Sequence, residues 1–99
     1  MAAEPKVYLF VEIDVKTGQR DAFISKLAAH GAIIRTEPGC ESLQVLTVPT
    51  SDTKVCVWEI WTTQADWDSH MVNDNSKAWQ LVAPAFVHGE KITVMDMVA

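Results

Sequence analysis

Val7-Tyr8-Leu9-Phe10-Val11-Glu12-Ile13-Asp14-Val15 sets an aliphatic side chain at every odd position, with Tyr8, Phe10, Glu12 and Asp14 between them. That period of two is a β-strand with one wholly aliphatic face. Its even positions begin with two aromatics, so the second face is apolar too at one end. A strand apolar on both faces belongs in a sheet covered on both sides.

The periodicity then changes. Lys16-Thr17-Gly18 reads as a turn, and Phe23, Leu27, His30 and Ile34 recur at helical spacing, which predicts a helix from about Gln19 to Thr36. Glu37-Pro38-Gly39 stops it, because proline cannot prolong a helix and glycine tolerates a positive φ. Leu43 to Val48 reads as a second strand, Pro49-Thr50-Ser51-Asp52 as a turn, and Lys54 to Trp61 as a third and most apolar strand. Thr63 with Asp66 three residues on resembles a capping box opening a helix through Met71. Asn73-Asp74-Asn75-Ser76 breaks that helix. A second helical piece follows, with Trp79, Val82 and Phe86 on one side and Pro84 near its end; His88 falls in a loop before Gly89, and Lys91 to Val98 forms the fourth strand.

The order β-α-β-β-α-β over residues 1–99 predicts one α+β domain with a ferredoxin-like antiparallel sheet. Right-handed crossovers put both helical segments on one face of that sheet. Tyr8, Phe10, Leu46, Val48, Met95 and Met97 are left on the other, an apolar surface for a second copy of the sheet. A homodimer, closing a dimeric α+β barrel, is therefore expected. A short domain also gains from a partner, since it buries a modest fraction of its own surface.

Composition narrows the function. The chain has 99 residues, 48% of them hydrophobic, and a formal charge of −5 with 8 basic residues that form no cluster. Nucleic acid binding rests on dense basic contacts to phosphate, so none is expected. The first apolar run is interrupted by Glu12 and Asp14, which excludes a membrane segment there, and with no leader-like segment the cytoplasm is the expected location. Cys40 and Cys56 share no CxxC spacing and read as reduced, packed thiols. Among the histidines and cysteines no HxH, HxxxH or CxxC spacing suggests a metal site, the four glycines are scattered, and no GxSxG motif occurs.

Three segments resemble the antibiotic biosynthesis monooxygenase family of small dimeric α+β barrels: Glu37-Pro38-Gly39-Cys40, Trp58-Glu59-Ile60-Trp61 and Asp66-Trp67-Asp68-Ser69-His70. The family hosts several chemistries on one scaffold: cofactor-free oxygenases of phenols and quinols, haem degraders, and a relative that processes a phosphorylated signalling sugar. Trp61 matches the tryptophan of the haem degraders, whereas Gln80 stands near their histidine ligand. In the oxygenase-like and sugar-processing relatives a histidine at the place of His70 is often followed five residues later by a second, here Asn75. Their first helix often carries a histidine near His30.

The resemblance implies a cofactor-free monooxygenase using O2 on a small phenolic or quinol-type aromatic substrate. Such an enzyme needs an apolar pocket, a base at the phenol oxygen and exclusion of water, because a phenolate is far easier to oxidise than a phenol. His70 is the candidate base, against the plainer reading of a surface or capping histidine. His30 and Glu59 are candidate assistants, each with a core or solvent-edge reading beside it. Trp61, Trp79, Asn75 and Tyr8 are candidate substrate contacts, with packing and helix capping as their ordinary roles. Two rivals remain: an isomerase of a phosphorylated sugar with Arg20 and Arg35 as phosphate partners, and a non-catalytic dimer whose interior is packed shut.

Overall fold

The structure, a computed structural model, describes residues 4–99. Strand β1 (Val7–Val15) is followed by helix α1 (Arg20–Ile34), strands β2 (Cys40–Thr47) and β3 (Lys54–Trp61), helices α2 (Gln64–Val72) and α3 (Asp74–Val82), a 3-10 turn at Ala83–Ala85 and strand β4 (Val87–Met95). The four strands form one antiparallel sheet in the order β2-β3-β1-β4, the ferredoxin-like α+β arrangement.

Alternation along β1 settles what faces what. Val7, Leu9, Val11, Ile13 and Val15 are all buried and form the core with Phe23, Leu27 and Ile34 of α1, Leu43 of β2, and Val55, Val57 and Trp61 of β3. Tyr8 and Phe10 turn to the opposite face, where Phe10 lies across from Trp58 and Tyr8 across from Ile60 and Met95. Tyr8 stacks on Trp58 with centroids 6.2 Å apart. Among the described residues no helix covers this side, and Leu46 and Met95 on it are exposed.

Two strand boundaries differ from the sequence reading. β2 begins at Cys40 rather than Leu43, because Cys40 pairs with Trp61 and Ser42 with Ile60 across a bulge. The polar Glu41-Ser42 step hid that start. β4 runs over Val87–Met95 rather than 91–98: Val87 pairs with Val15 and Gly89 with Asp14, again across a bulge. His88 therefore lies on an exposed edge strand and not in a loop. Phe23, Leu27 and Ile34 form the inner stripe of α1 as expected, but Gly31 takes its buried centre and His30 lies beside it at the edge.

The turns obey local chemistry. Thr63 Oγ1 accepts the Asp66 backbone N–H at 3.1 Å, the expected cap of α2. The break between α2 and α3 narrows to Asn73 alone, whose Oδ1 caps α3 by accepting Ser76 N–H at 2.8 Å. Gly39 adopts φ +82°, and a β-carbon there would overlap the Asp66 carboxylate. Only glycine lets the α1–β2 turn pass so close beneath α2.

A carboxylate–histidine pair in an apolar cavity

A cavity of about 120 Å3 lies between the sheet and the helices. Leu9, Val11 and Ile13 of β1, Val57 of β3, and Leu27 and Ile34 of α1 give it apolar walls. His30, Glu59, Trp67, His70, Ser76, Trp79, Gln80 and Glu90 are its polar or aromatic lining. No lysine or arginine of the described residues reaches it.

His70 comes from the last turn of α2 and is buried. Its Nδ1 lies 2.7 Å from Glu37 Oε1, in the turn that ends α1. Asn73 Nδ2 donates to the same oxygen at 2.8 Å. Ser76 Oγ donates to the His70 carbonyl at 2.5 Å, closing the junction of α2 and α3 around the imidazole. A carboxylate only accepts, so the contact assigns the Nδ1 proton to the bond with Glu37 and leaves Nε2 as the open nitrogen. Nε2 makes no hydrogen bond among the described residues. An imidazole held this way, with a carboxylate behind and a free nitrogen in a cavity, can take a proton from a bound ligand.

Trp61 fixes the ring plane. Its indole is fully buried and stacks on His70 with centroids 4.8 Å apart, while its Nε1 donates to Glu59 Oε1 at 3.0 Å. Glu59, Trp61, His70 and Glu37 thus form one continuous chain of contacts. Trp61 does not line the cavity; it supports His70 from behind.

His30, Glu59, His70 and Trp79 share the cavity. His30 lies flat on Trp79, with centroids 4.5 Å apart and 6° between planes. Asn75 is not in the cavity: one residue before the inward-facing Ser76, it faces an outer groove with Lys26, Ala29, Ile33, Ala78 and Val82. Tyr8 is not there either, because Leu9 beside it occupies the cavity face and a strand alternates. Glu37 is the residue the sequence reading missed, having been read there as part of a helix stop.

Burial pushes the Glu59 carboxyl above its ordinary value of 4.5, against the Trp61 hydrogen bond and the nearby His70, while Glu90 and Glu37 push it further up. Burial, followed by the proximity of His70, holds His30 below 6.5. The surrounding protein also raises the Glu90 carboxyl at the cavity mouth. Both cysteines are free thiols, and burial pushes each upward, away from thiolate character.

These directions fix a stability profile. A carboxyl that holds its proton more tightly when folded contributes fully below 4.5, and that stability is lost as pH rises through the raised folded value. His30 acts oppositely: its contribution is lost as pH falls from 6.5 through the lowered folded value. Glu59→Gln keeps an acceptor for Trp61 Nε1 and removes the charge. The variant is expected to be at least as stable as the native protein at neutral pH, with a flatter profile above 4.5. Thermal unfolding between about pH 4 and about pH 8 checks this; a lower Tm for the variant at neutral pH would contradict it.

Among the described residues, no three His, Cys, Asp or Glu side chains converge to hold a metal ion, and no helix is long and apolar enough to cross a membrane. No curated protein sequence matches the chain. Among solved structures, one from Pseudomonas aeruginosa is 19% identical, covers 100% of each chain and superposes with a TM-score of 0.90. One from Shewanella oneidensis is 20% identical over 93% of this chain and 90% of its own, with a TM-score of 0.84. A third, an antibiotic biosynthesis monooxygenase, is 16% identical over 94% of this chain and 99% of its own, with a TM-score of 0.85. At such identities these likenesses speak for the fold alone. Sequence evidence comes from the family model for antibiotic biosynthesis monooxygenase, which matches residues 6–81 and so spans Glu37, Glu59, Trp61, His70 and Trp79. With most of its length matched by that model, and with the same fold, the chain belongs to the antibiotic biosynthesis monooxygenase family.

Proposed function

We propose that this chain is a cofactor-free monooxygenase of a small, uncharged phenol or quinol, with His70 as the base. The observation that carries the reading is the free Nε2 of a carboxylate-backed imidazole inside an apolar cavity. His70 takes the phenolic proton and Glu37 stabilises the resulting imidazolium. The anionic ring then supplies the electrons to O2. For a quinol, one oxygen atom enters the ring and the other leaves as water, giving a hydroxyquinone with every electron drawn from the substrate. Trp79 and the aliphatic walls favour a flat ring and keep bulk water out.

Size and charge restrict the substrate. A cavity of about 120 Å3 is close to the ~150 Å3 that accepts benzene in an engineered protein core, so it suits one ring. The phosphorylated-sugar alternative fits poorly: Arg20 donates to Ser51 O and Arg35 to Leu43 O, and neither lines the cavity, whose lining among the described residues holds no lysine or arginine to meet a phosphate. The non-catalytic alternative calls for a filled interior and an exposed His70, whereas the cavity is open and His70 is buried. The uncovered face bearing Tyr8, Phe10, Leu46, Trp58 and Met95 supports pairing of two copies through their sheets, which a dimer mass by light scattering checks.

The direct test is oxygen uptake by metal-free protein with single-ring quinols, corrected for autoxidation. Uptake above background, with hydroxyquinone formed in equal amount and no turnover without O2, is the expected result. Absence of uptake across single-ring and fused-ring quinols would count against the reading.

A further inference from the structure

The cavity contains more than the base that an oxygenase requires. Glu59 is buried, lines the same cavity and uses only Oε1 in its bond to Trp61; Oε2 has no hydrogen-bond partner among the described residues. Glu59 and Trp61 point to the same side of β3, two residues or about 7 Å apart along the strand. Since Trp61 stacks on His70, the carboxyl and the imidazole flank one indole and face one small cavity. We infer that this pair is a proton-transfer couple and gives the protein a second, oxygen-independent activity: isomerisation of small, uncharged, single-ring β,γ-unsaturated ketones to their conjugated isomers.

The inference uses the same cavity and base as the oxygenase reading but no oxygen. The two groups differ in the way such chemistry needs. Burial favours the protonated form of Glu59, while His70 spends its Nδ1 on Glu37 and keeps Nε2 without a hydrogen-bond partner among the described residues. Nε2 removes the proton from the carbon between the carbonyl and the double bond. The C–H electron pair becomes a new carbon–carbon π bond, the carbonyl π pair moves onto oxygen, and that oxygen takes the Glu59 proton to give a dienol. The imidazolium then returns its proton to the γ carbon, the hydroxyl proton goes back to Glu59, and the carbonyl reforms. Reactant and product are isomers, so nothing is oxidised or reduced.

The ligand class follows from the walls. A cavity of about 120 Å3 with the Trp79 indole on one side suits a single flat ring, and a neutral ketone needs no cationic anchor, which the lining lacks. Glu59 is then a catalytic residue, with Oε2 on the carbonyl oxygen.

The test is anaerobic incubation with cyclohexenone in its β,γ-unsaturated form, following the ultraviolet absorbance of the conjugated product. The native protein is expected to isomerise it above the buffer rate. Glu59→Gln, which keeps the acceptor for Trp61 Nε1, and His70→Asn, which keeps a donor for Glu37, should each lower kcat by ~10²-fold or more. A native rate no higher than buffer, or an unimpaired Glu59→Gln variant, overturns the inference. Oxygen uptake on a quinol without this isomerisation overturns it and leaves the oxygenase reading intact; isomerisation without uptake on any quinol supports it and removes that reading.

Discussion

His70→Asn is expected to lower oxygen-dependent turnover of a quinol by ~10²–10⁴-fold while the protein stays folded. An asparagine at 70 places Nδ2 near the site of the imidazole Nδ1, so Glu37 Oε1 keeps a donor and the buried tie between the α1–β2 turn and the α2–α3 junction survives. What disappears is Nε2, the ring nitrogen left without a hydrogen-bond partner among the described residues in a histidine that lines the cavity. The size of the loss follows from the chemistry: without a base the substrate remains a neutral phenol, a far poorer electron donor to O2. The same logic supplies an internal control. As assay pH approaches the ionisation of the free phenol, near ~10, the substrate arrives already deprotonated and the gap between variant and native protein should close. Initial oxygen uptake against pH, with thermal unfolding run beside it, separates a lost base from a damaged fold. A folded variant that turns over at the native rate at neutral pH would end the assignment of His70.

Much of this was legible in the sequence, for reasons visible at particular residues. The odd positions of β1 alternate without exception, so the core face could be read directly, and with it the helices on one side and an apolar surface on the other. His70, His30, Glu59 and Trp79, singled out by residue type and family resemblance, do share one cavity. The departures come from geometry that local patterns do not carry. Tyr8, a candidate substrate contact by its sequence, turns outward under the same parity that buries Leu9. Asn75 misses the cavity by one helical step, because Ser76 takes the inward place. Trp61 shares a face with Glu59, yet α2 lays His70 over it, so it supports the imidazole and does not line the cavity. β4 starts early because pairing with β1 holds His88 and Gly89 in a strand that their local propensity does not favour.

Glu37 is the instructive omission. Within Glu37-Pro38-Gly39 it reads as turn chemistry, and nothing within a helical turn of it names a partner. Its partner His70 lies 33 residues away and Asn73 lies 36 away, so only the folded chain brings them together. A carboxylate directly before a helix-stopping Pro-Gly, in a fold that returns a histidine-bearing helix over that turn, was the available signal.

The consequence is a prediction as large as the one for His70, and different in kind. Glu37→Ala should both destabilise the protein and stop turnover. It leaves the Nδ1 proton of buried His70 and one Nδ2 proton of half-buried Asn73 without their acceptor, at roughly 1–3 kcal/mol for each group. Against the ~5–15 kcal/mol typical of a whole domain, a combined loss of about 2–6 kcal/mol is severe and should lower Tm by ~10 °C or more. Glu37→Gln separates the two roles. Its carbonyl oxygen can still accept from both neighbours, and its amide takes the place of Oε2, which already lacks a partner, so the fold should survive with a smaller drop in Tm. Catalysis should not survive equally well. A neutral amide cannot stabilise the imidazolium formed when His70 takes its proton, and the comparable carboxylate-to-amide change in a serine-protease triad costs ~10⁴-fold in kcat. The expected pattern is therefore an alanine variant that is both unstable and inactive beside a glutamine variant that is folded and slow, with the loss in kcat and not in KM. A glutamine variant with native kcat would make Glu37 a structural tie only, and His70 would have to act without a carboxylate behind it.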